Sequence, residues 1–112
     1  MSERGDSVFV MHILDSINAV EDFSKNLSRE DLELDRLRQS AIVREIEVIG
    51  EASKNISAEF KDKYNEVPWK EIIGTRDKIT HHYFGLNLDV IWEIVKENLP
   101  DLKKKLKKID FD

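Results

Sequence analysis

The chain has 112 residues, enough for one domain over 1–112 with a modest core that dimerisation would supplement. It holds no cysteine, which removes disulfides, thiolate metal sites and thiol nucleophiles together. Charged residues make up 37% and the net charge is −5, which argues against coating nucleic acid by charge alone.

The chain opens Met1-Ser2-Glu3-Arg4-Gly5-Asp6, with neither a basic n-region nor an uninterrupted apolar run behind it. No stretch approaches the roughly 20 apolar residues of a membrane span, so a cytoplasmic protein is expected. Asp6 or Ser7 is expected to cap a first helix, on which Val10, Ile13, Leu14, Ile17, Val20, Phe23 and Leu27 recur at three- and four-residue steps. Ser28-Arg29-Glu30-Asp31 resembles a capping box with Asp in place of Glu. It opens a second helix carrying Leu34, Leu37, Ala41, Ile42, Ile49, Ala52 and Ile56. The acids Glu30, Asp31, Glu33 and Asp35 crowd its first turns, where the helix dipole favours them.

Ser57 begins a short helical turn that reaches Tyr64. Proline suits the first helical position, so a third main helix is expected from Pro68 towards Phe84, ended by Gly85 as its C′ residue. Asn87 caps another helix with Leu88, Ile91, Trp92, Val95 and Leu99 on its stripe, and Pro100 restarts a last short helix with Leu102, Leu106 and Ile109. Lysines 103, 104, 105, 107 and 108 lie mostly off that stripe and read as a solvated face, with an RNA contact as the alternative. The expected fold is all-α, an antiparallel bundle of four or five helices with no internal repeat.

Charge is uneven along the chain. Residues 1–66 hold 15 acids and 9 bases, whereas residues 67–112 hold 8 acids and 9 bases. An enzyme this acidic could act on RNA only with a local basic site or a basic partner.

One position breaks the pattern. On the helix from Pro68 the apolar stripe runs Trp69, Ile72, Ile73, Ile79 and Phe84 or Tyr83, and its next step after Ile73 is Arg76. Arginine on a buried face is costly unless it is paired or faces a cleft. Asp77 and His81 are four apart, so a carboxylate can orient the imidazole. At about 100° per residue, Arg76 and His81 would stand about 140° apart, too wide to grip one small group. The helix is distorted, or the two act across a groove, or two chains each contribute. Arginine can clamp a phosphate and offset transition-state charge, and histidine can move a proton near neutral pH. RNA supplies its own nucleophile, the 2′-hydroxyl, so the parts suffice for phosphodiester cleavage without a metal. The alternative is a solvent-reaching arginine beside surface histidines.

The stretches Ile49-Gly50-Glu51-Ala52, Val67-Pro68-Trp69, Ile73-Gly74-Thr75-Arg76-Asp77, His81-His82-Tyr83-Phe84-Gly85 and Val90-Ile91-Trp92 resemble, in order and spacing, the HepT-like branch of HEPN domains. The family signature is Arg, four residues, His, any residue, Tyr, and Arg76, His81 and Tyr83 satisfy it with His82 in the free position. Val48 stands where Asn or another polar residue is expected and Thr75 where Met is common; neither touches the signature. The resemblance implies a metal-independent endoribonuclease toxin without a cofactor, acting as a two-fold homodimer whose two signatures share a cleft. Arg76 and His81 would be catalytic, Asp77 and His82 supporting. A minimal nucleotidyltransferase antitoxin would transfer AMP from ATP onto Tyr83, placing an anion beside the phosphate-binding Arg76. The rival reading is a non-catalytic partner that docks a nucleotidyltransferase or binds a nucleotide; an inert helical dimer is a third.

His12 reads as a helix-surface or interface residue, and three histidines without a carboxylate cluster make a metal site improbable. Glu51 is expected to pack and hydrogen-bond against a neighbouring helix, Gly50 to permit close helix approach, and Trp69 and Trp92 to anchor a core or interface.

Overall fold

The computed structural model describes residues 3–81 and 85–111. Helix α1 (Glu3–Ser24) buries the expected stripe, with Val10, Ile13, Ile17 and Val20 inside and Leu14 and Phe23 partly so. It starts ahead of Asp6, so neither Asp6 nor Ser7 caps it. Asp6 is instead a buried carboxylate within the helix, 1% exposed. It accepts hydrogen bonds from the Ser57 N–H at 2.8 Å and the Ser57 hydroxyl at 2.7 Å. These bonds replace lost hydration and tie the start of α1 to the cap of a later helix.

Ser28 forms the capping box with Asp31 at the head of α2 (Arg29–Leu34). The expected single second helix is broken at Asp35, whose backbone leaves helical geometry (φ −114°, ψ 89°), and α3 (Arg36–Lys54) follows. Asp35 caps α3, accepting from the Arg38 N–H at 3.0 Å and pairing with its guanidinium at 2.6 Å. The backbone bond first, then the side-chain bond, hold the Asp35 carboxyl below its usual range. With the folded value lowered, the capping contribution is present above the ordinary carboxylate range and fades as pH falls through the lower folded value. The break turns Leu34 and Leu37 into solvent, 85% and 81% exposed, so neither belongs to the stripe. Ile42, Ile46, Ile49, Ala52 and Ile56 are buried, and α3 packs along α1.

Ser57 caps α4 (Ala58–Lys63), accepting from the Phe60 N–H. Phe60 stacks on Phe111 at 5.7 Å and meets Tyr64, whose hydroxyl donates to the Asp110 carbonyl. Trp69 is buried and its indole donates to the Tyr64 carbonyl at 3.1 Å.

The expected long helix from Pro68 towards Phe84 does not form. In its place stand α5 (Trp69–Ile73), α6 (Thr75–Ile79) and a two-residue antiparallel ladder of β1 (Thr80–His81) with β2 (Gly85–Leu86). Gly74 breaks α5 from α6, and Thr75 returns a hydroxyl bond to the Glu71 carbonyl at 2.9 Å. The run from Ile79 through Thr80 to Tyr83 and Phe84 is β-branched and aromatic, a composition that favours extended backbone over helix. Gly85 has the expected positive φ (+83°), but it uses it at the ladder and not as a helix C′.

Asn87 caps α7 (Leu88–Glu93), and its own N–H reaches back to the Ile79 carbonyl at 2.8 Å. A π turn (Ile94–Asn98) joins α7 to α8 (Leu99–Lys107) without a break, correcting the expected restart at Pro100. Proline lacks an N–H and clashes with the carbonyl four residues back; the wider turn, closed by the Leu99 N–H on the Ile94 carbonyl, accommodates it. Trp92 is half-buried under the Lys96 ammonium at 4.8 Å.

The described residues are thus mostly helical, in three long runs (α1, α3 and α7 through α8) and four short segments. None of the described helices is long and apolar enough to cross a membrane.

Asp6→Ala leaves the two Ser57 donors without their acceptor and is expected to cost about 2 kcal/mol, lowering the thermal midpoint by about 8 °C. Melts followed by circular dichroism check this. Adding Ser57→Ala should cost less than its separate effect, because the pair acts as one unit.

Candidate active site

Helix α3 presents two faces. At about 100° per residue, Ile42, Ile46, Ile49 and Ser53 cluster on one side, and Arg44, Glu47, Glu51 and Lys54 fall on the opposite one. Burial of the first set turns the second outward. That outward row forms one wall of a groove of about 670 Å³, closed by Phe9 and His12 of α1 and by Arg76 and Asp77 of α6. Glu51 therefore lines an open groove and is exposed, contrary to the expected packing against a neighbouring helix. A Cβ at Gly50 would meet the Ile72 and Ile73 carbonyl oxygens at 3.5 and 3.8 Å, ordinary contact, so the approach there does not require glycine.

Arg76 is not on a buried face. Its side chain is 75% exposed, and its Nε stands 3.7 Å from Glu47 Oε2 across the α3–α6 seam. The expected stripe through residue 76 fails because Gly74 interrupts the helix, so the phase of Trp69, Ile72 and Ile73 is not carried across. Ile79 re-enters the core, fully buried. The 140° separation of Arg76 and His81 also lapses, because α6 ends at Ile79 and His81 has strand backbone paired with Gly85. For the same reason Asp77 and His81 are not one helical turn apart. Asp77 is exposed in the groove. His82, Tyr83 and Phe84 lie outside the described residues.

The groove carries three basic side chains, Arg44, Lys54 and Arg76, against three acidic ones, Glu47, Glu51 and Asp77. No local basic excess compensates the net charge of −5 there. A phosphate would be held by a particular arginine and not by a general positive field. His12 is exposed on the α1 wall, its ring edge to Phe9 at 6.2 Å. Among the described residues, no group of three or more His, Asp or Glu is placed to hold a metal ion. Arg44, Glu47, Lys54 and His12 were not singled out as site residues from sequence; the i, i+3, i+7 and i+10 spacing of Arg44, Glu47, Glu51 and Lys54 is the signal that could have found that wall.

The family model for ribonuclease HepT-like proteins matches residues 13–109. The chain is 40% identical over 107 residues to a "Probable ribonuclease HepT" of Thermococcus cleftensis, covering 96% of this chain and 97% of that one. It is 44% identical over 101 residues to a "Putative RNase" of Caldanaerobacter subterraneus subsp. tengcongensis, covering 90% of each. A longer protein of Methanocaldococcus jannaschii, named "Gamma-glutamylcyclotransferase and putative RNase", is 42% identical over 102 residues, and this chain spans 46% of its length. No solved structure matches. The chain belongs to the HepT-like ribonuclease family.

Gly85 is paired with His81 at φ +83°, and a Cβ there would meet nothing within 4 Å. Gly85→Ala therefore carries a purely conformational cost, expected at about 1–2 kcal/mol. Gly85→Asn should cost less, since Asn tolerates that backbone. Urea denaturation of the two variants checks the order.

Proposed function

We propose that the chain is a metal-independent endoribonuclease, one domain over residues 1–112, that serves as the toxin of a type VII toxin–antitoxin pair. The single observation that carries this reading is the placement of Arg76, a residue of the signature, as an exposed guanidinium on the wall of a polar groove. His81 follows it two residues beyond the end of α6.

Arg76 takes the phosphate through parallel N–H bonds and offsets the charge that builds on the pentacoordinate phosphorus. The 2′-oxygen attacks phosphorus, the bond to the 5′-oxygen breaks, and a 2′,3′-cyclic phosphate and a 5′-hydroxyl result. One proton leaves the 2′-hydroxyl and one reaches the 5′-oxygen, with His81 as a proton carrier. Asp77 and His82 support these two. The nucleophile belongs to the RNA, so no step requires a metal-bound water. Two chains related by a two-fold axis would bring two such grooves together.

Silencing falls on Tyr83. A nucleotidyltransferase partner binds ATP, the Tyr83 hydroxyl attacks the α-phosphorus, AMP stays on the tyrosine oxygen, pyrophosphate leaves and the phenolic proton passes to solvent. The added phosphate places about one negative charge beside Arg76, where it takes the place of the RNA phosphate.

Purified protein incubated with total RNA in EDTA should cut it, leaving ends that map to cyclic phosphates and 5′-hydroxyls. Arg76→Ala and His81→Ala should each lose about 10²–10³-fold in cleavage with an unchanged helical dichroism spectrum. A variant at either position that cuts at the wild-type rate removes that residue from the mechanism.

With a minimal nucleotidyltransferase, ATP and magnesium, wild type should gain mass in multiples of AMP and stop cutting RNA. Tyr83→Phe should gain none and remain active. Equal modification of both proteins, read by intact mass, would exclude Tyr83 as the acceptor.

A further inference from the structure

We infer that Glu47 is a second catalytic residue of the reaction proposed above, the base that takes the proton from the attacking 2′-hydroxyl; the inference rests on that reading. His81 then protonates the departing 5′-oxygen.

The Glu47–Arg76 pair does little for the stability of the fold. The two side chains are 38% and 75% exposed and stand 3.7 Å apart, beyond hydrogen-bond length. An ion pair this open contributes well under about 1 kcal/mol to stability, so it is a poor clamp for the α3–α6 seam. Ile46 and Ile49 of α3 and Ile79 of α6, buried in one core, already hold that seam.

A phosphate gripped by the Arg76 guanidinium sits about 3 Å from its nitrogens, and the attacking oxygen comes within about 3–3.5 Å of phosphorus. The Glu47 carboxylate, 3.7 Å from that same guanidinium, lies within the span that these two distances set for the 2′-hydroxyl. Glu51 stands one turn farther along α3, and Asp77 is on the helix of Arg76 itself.

An in-line displacement puts the entering and leaving oxygens on opposite sides of phosphorus, so one side chain cannot serve both at once. The acid and the base must therefore be two different side chains. Glu47 comes from α3, and His81 follows α6 on β1. The step balances: Glu47 receives the 2′ proton as the O2′–P bond forms, and the P–O5′ bond breaks as the His81 imidazolium gives its proton to O5′.

The test uses the full chain and a short RNA carrying the mapped cleavage site. Beside it stands the same RNA with sulfur in place of the 5′-oxygen, a leaving group that needs no proton. Glu47→Gln keeps an oxygen for Arg76 but cannot hold a proton. It should lower kcat about 100-fold on both substrates, leave KM within about threefold, and erase the acidic limb of the pH–rate profile. His81→Ala should lose far less on the sulfur substrate than on the oxygen one. Several results overturn the role of Glu47 while leaving the ribonuclease reading intact. These are a wild-type kcat in Glu47→Gln, a retained acidic limb, a loss confined to KM, or a His81→Ala variant equally poor on both substrates. Failure of the wild type to cut any RNA overturns both readings.

Discussion

The burial of Ile42, Ile46 and Ile49 of α3 against Val10, Ile13 and Ile17 of α1 fixes the rotation of α3, and the rest of the molecule depends on that rotation. Each fully buried aliphatic side chain contributes roughly 1.5–3 kcal/mol, so turning α3 by even one residue's worth would cost several such contributions. A helix held this firmly on one side has no freedom on the other. Arg44, Glu47, Glu51 and Lys54 must face outward together, and the groove wall follows from the core.

The opposite wall is set by a discontinuity. Ile72 and Ile79 both reach the core, but they do so from two short helices separated at Gly74. One straight helix through the same residues would present Arg76 along the stripe of Trp69, Ile72 and Ile73. The break exposes it over Glu47 instead. The same shortness ends α6 at Ile79, and the Asn87 N–H on the Ile79 carbonyl pins the start of α7 next to that end. The chain thereby returns to the bundle immediately after the signature.

Charge in the groove is balanced and not basic, which limits what drives nucleic acid towards it. An overall charge of −5 repels a polyanion at long range. Recognition at such a site rests on short-range, directional contacts, whose strength depends less on salt than a field of lysines would. The lysines of α8 do not line the groove, and two of them are paired. Lys103 is engaged with Glu21 at 2.8 Å and Lys105 with Asp101 at 3.0 Å.

Much of this was legible in the sequence because it is local or periodic. The stripe of α1, the capping box at Ser28 and the cap at Asn87 each depend on a few neighbouring residues, and each was read correctly as a local feature. The order and spacing of Arg76, His81 and Tyr83 are likewise properties of the chain alone, and they identified the family. Periodicity could not reveal where a helix is interrupted. Asp35, Gly74 and the β-favouring run after Ile79 are weak local signals, overridden in a pattern count by the isoleucines around them. Nor could it show that Asp6, which looked like a helix cap, would bury its carboxylate on Ser57, 51 residues away. The pairing of Arg76 with Glu47, 29 positions apart, was hidden for the same reason. Sequence determined which groups exist and the local backbone each prefers. Only the packing of α1, α3 and α6 around a shared core decided which of those groups meet, because contact between distant residues depends on how buried faces orient their helices.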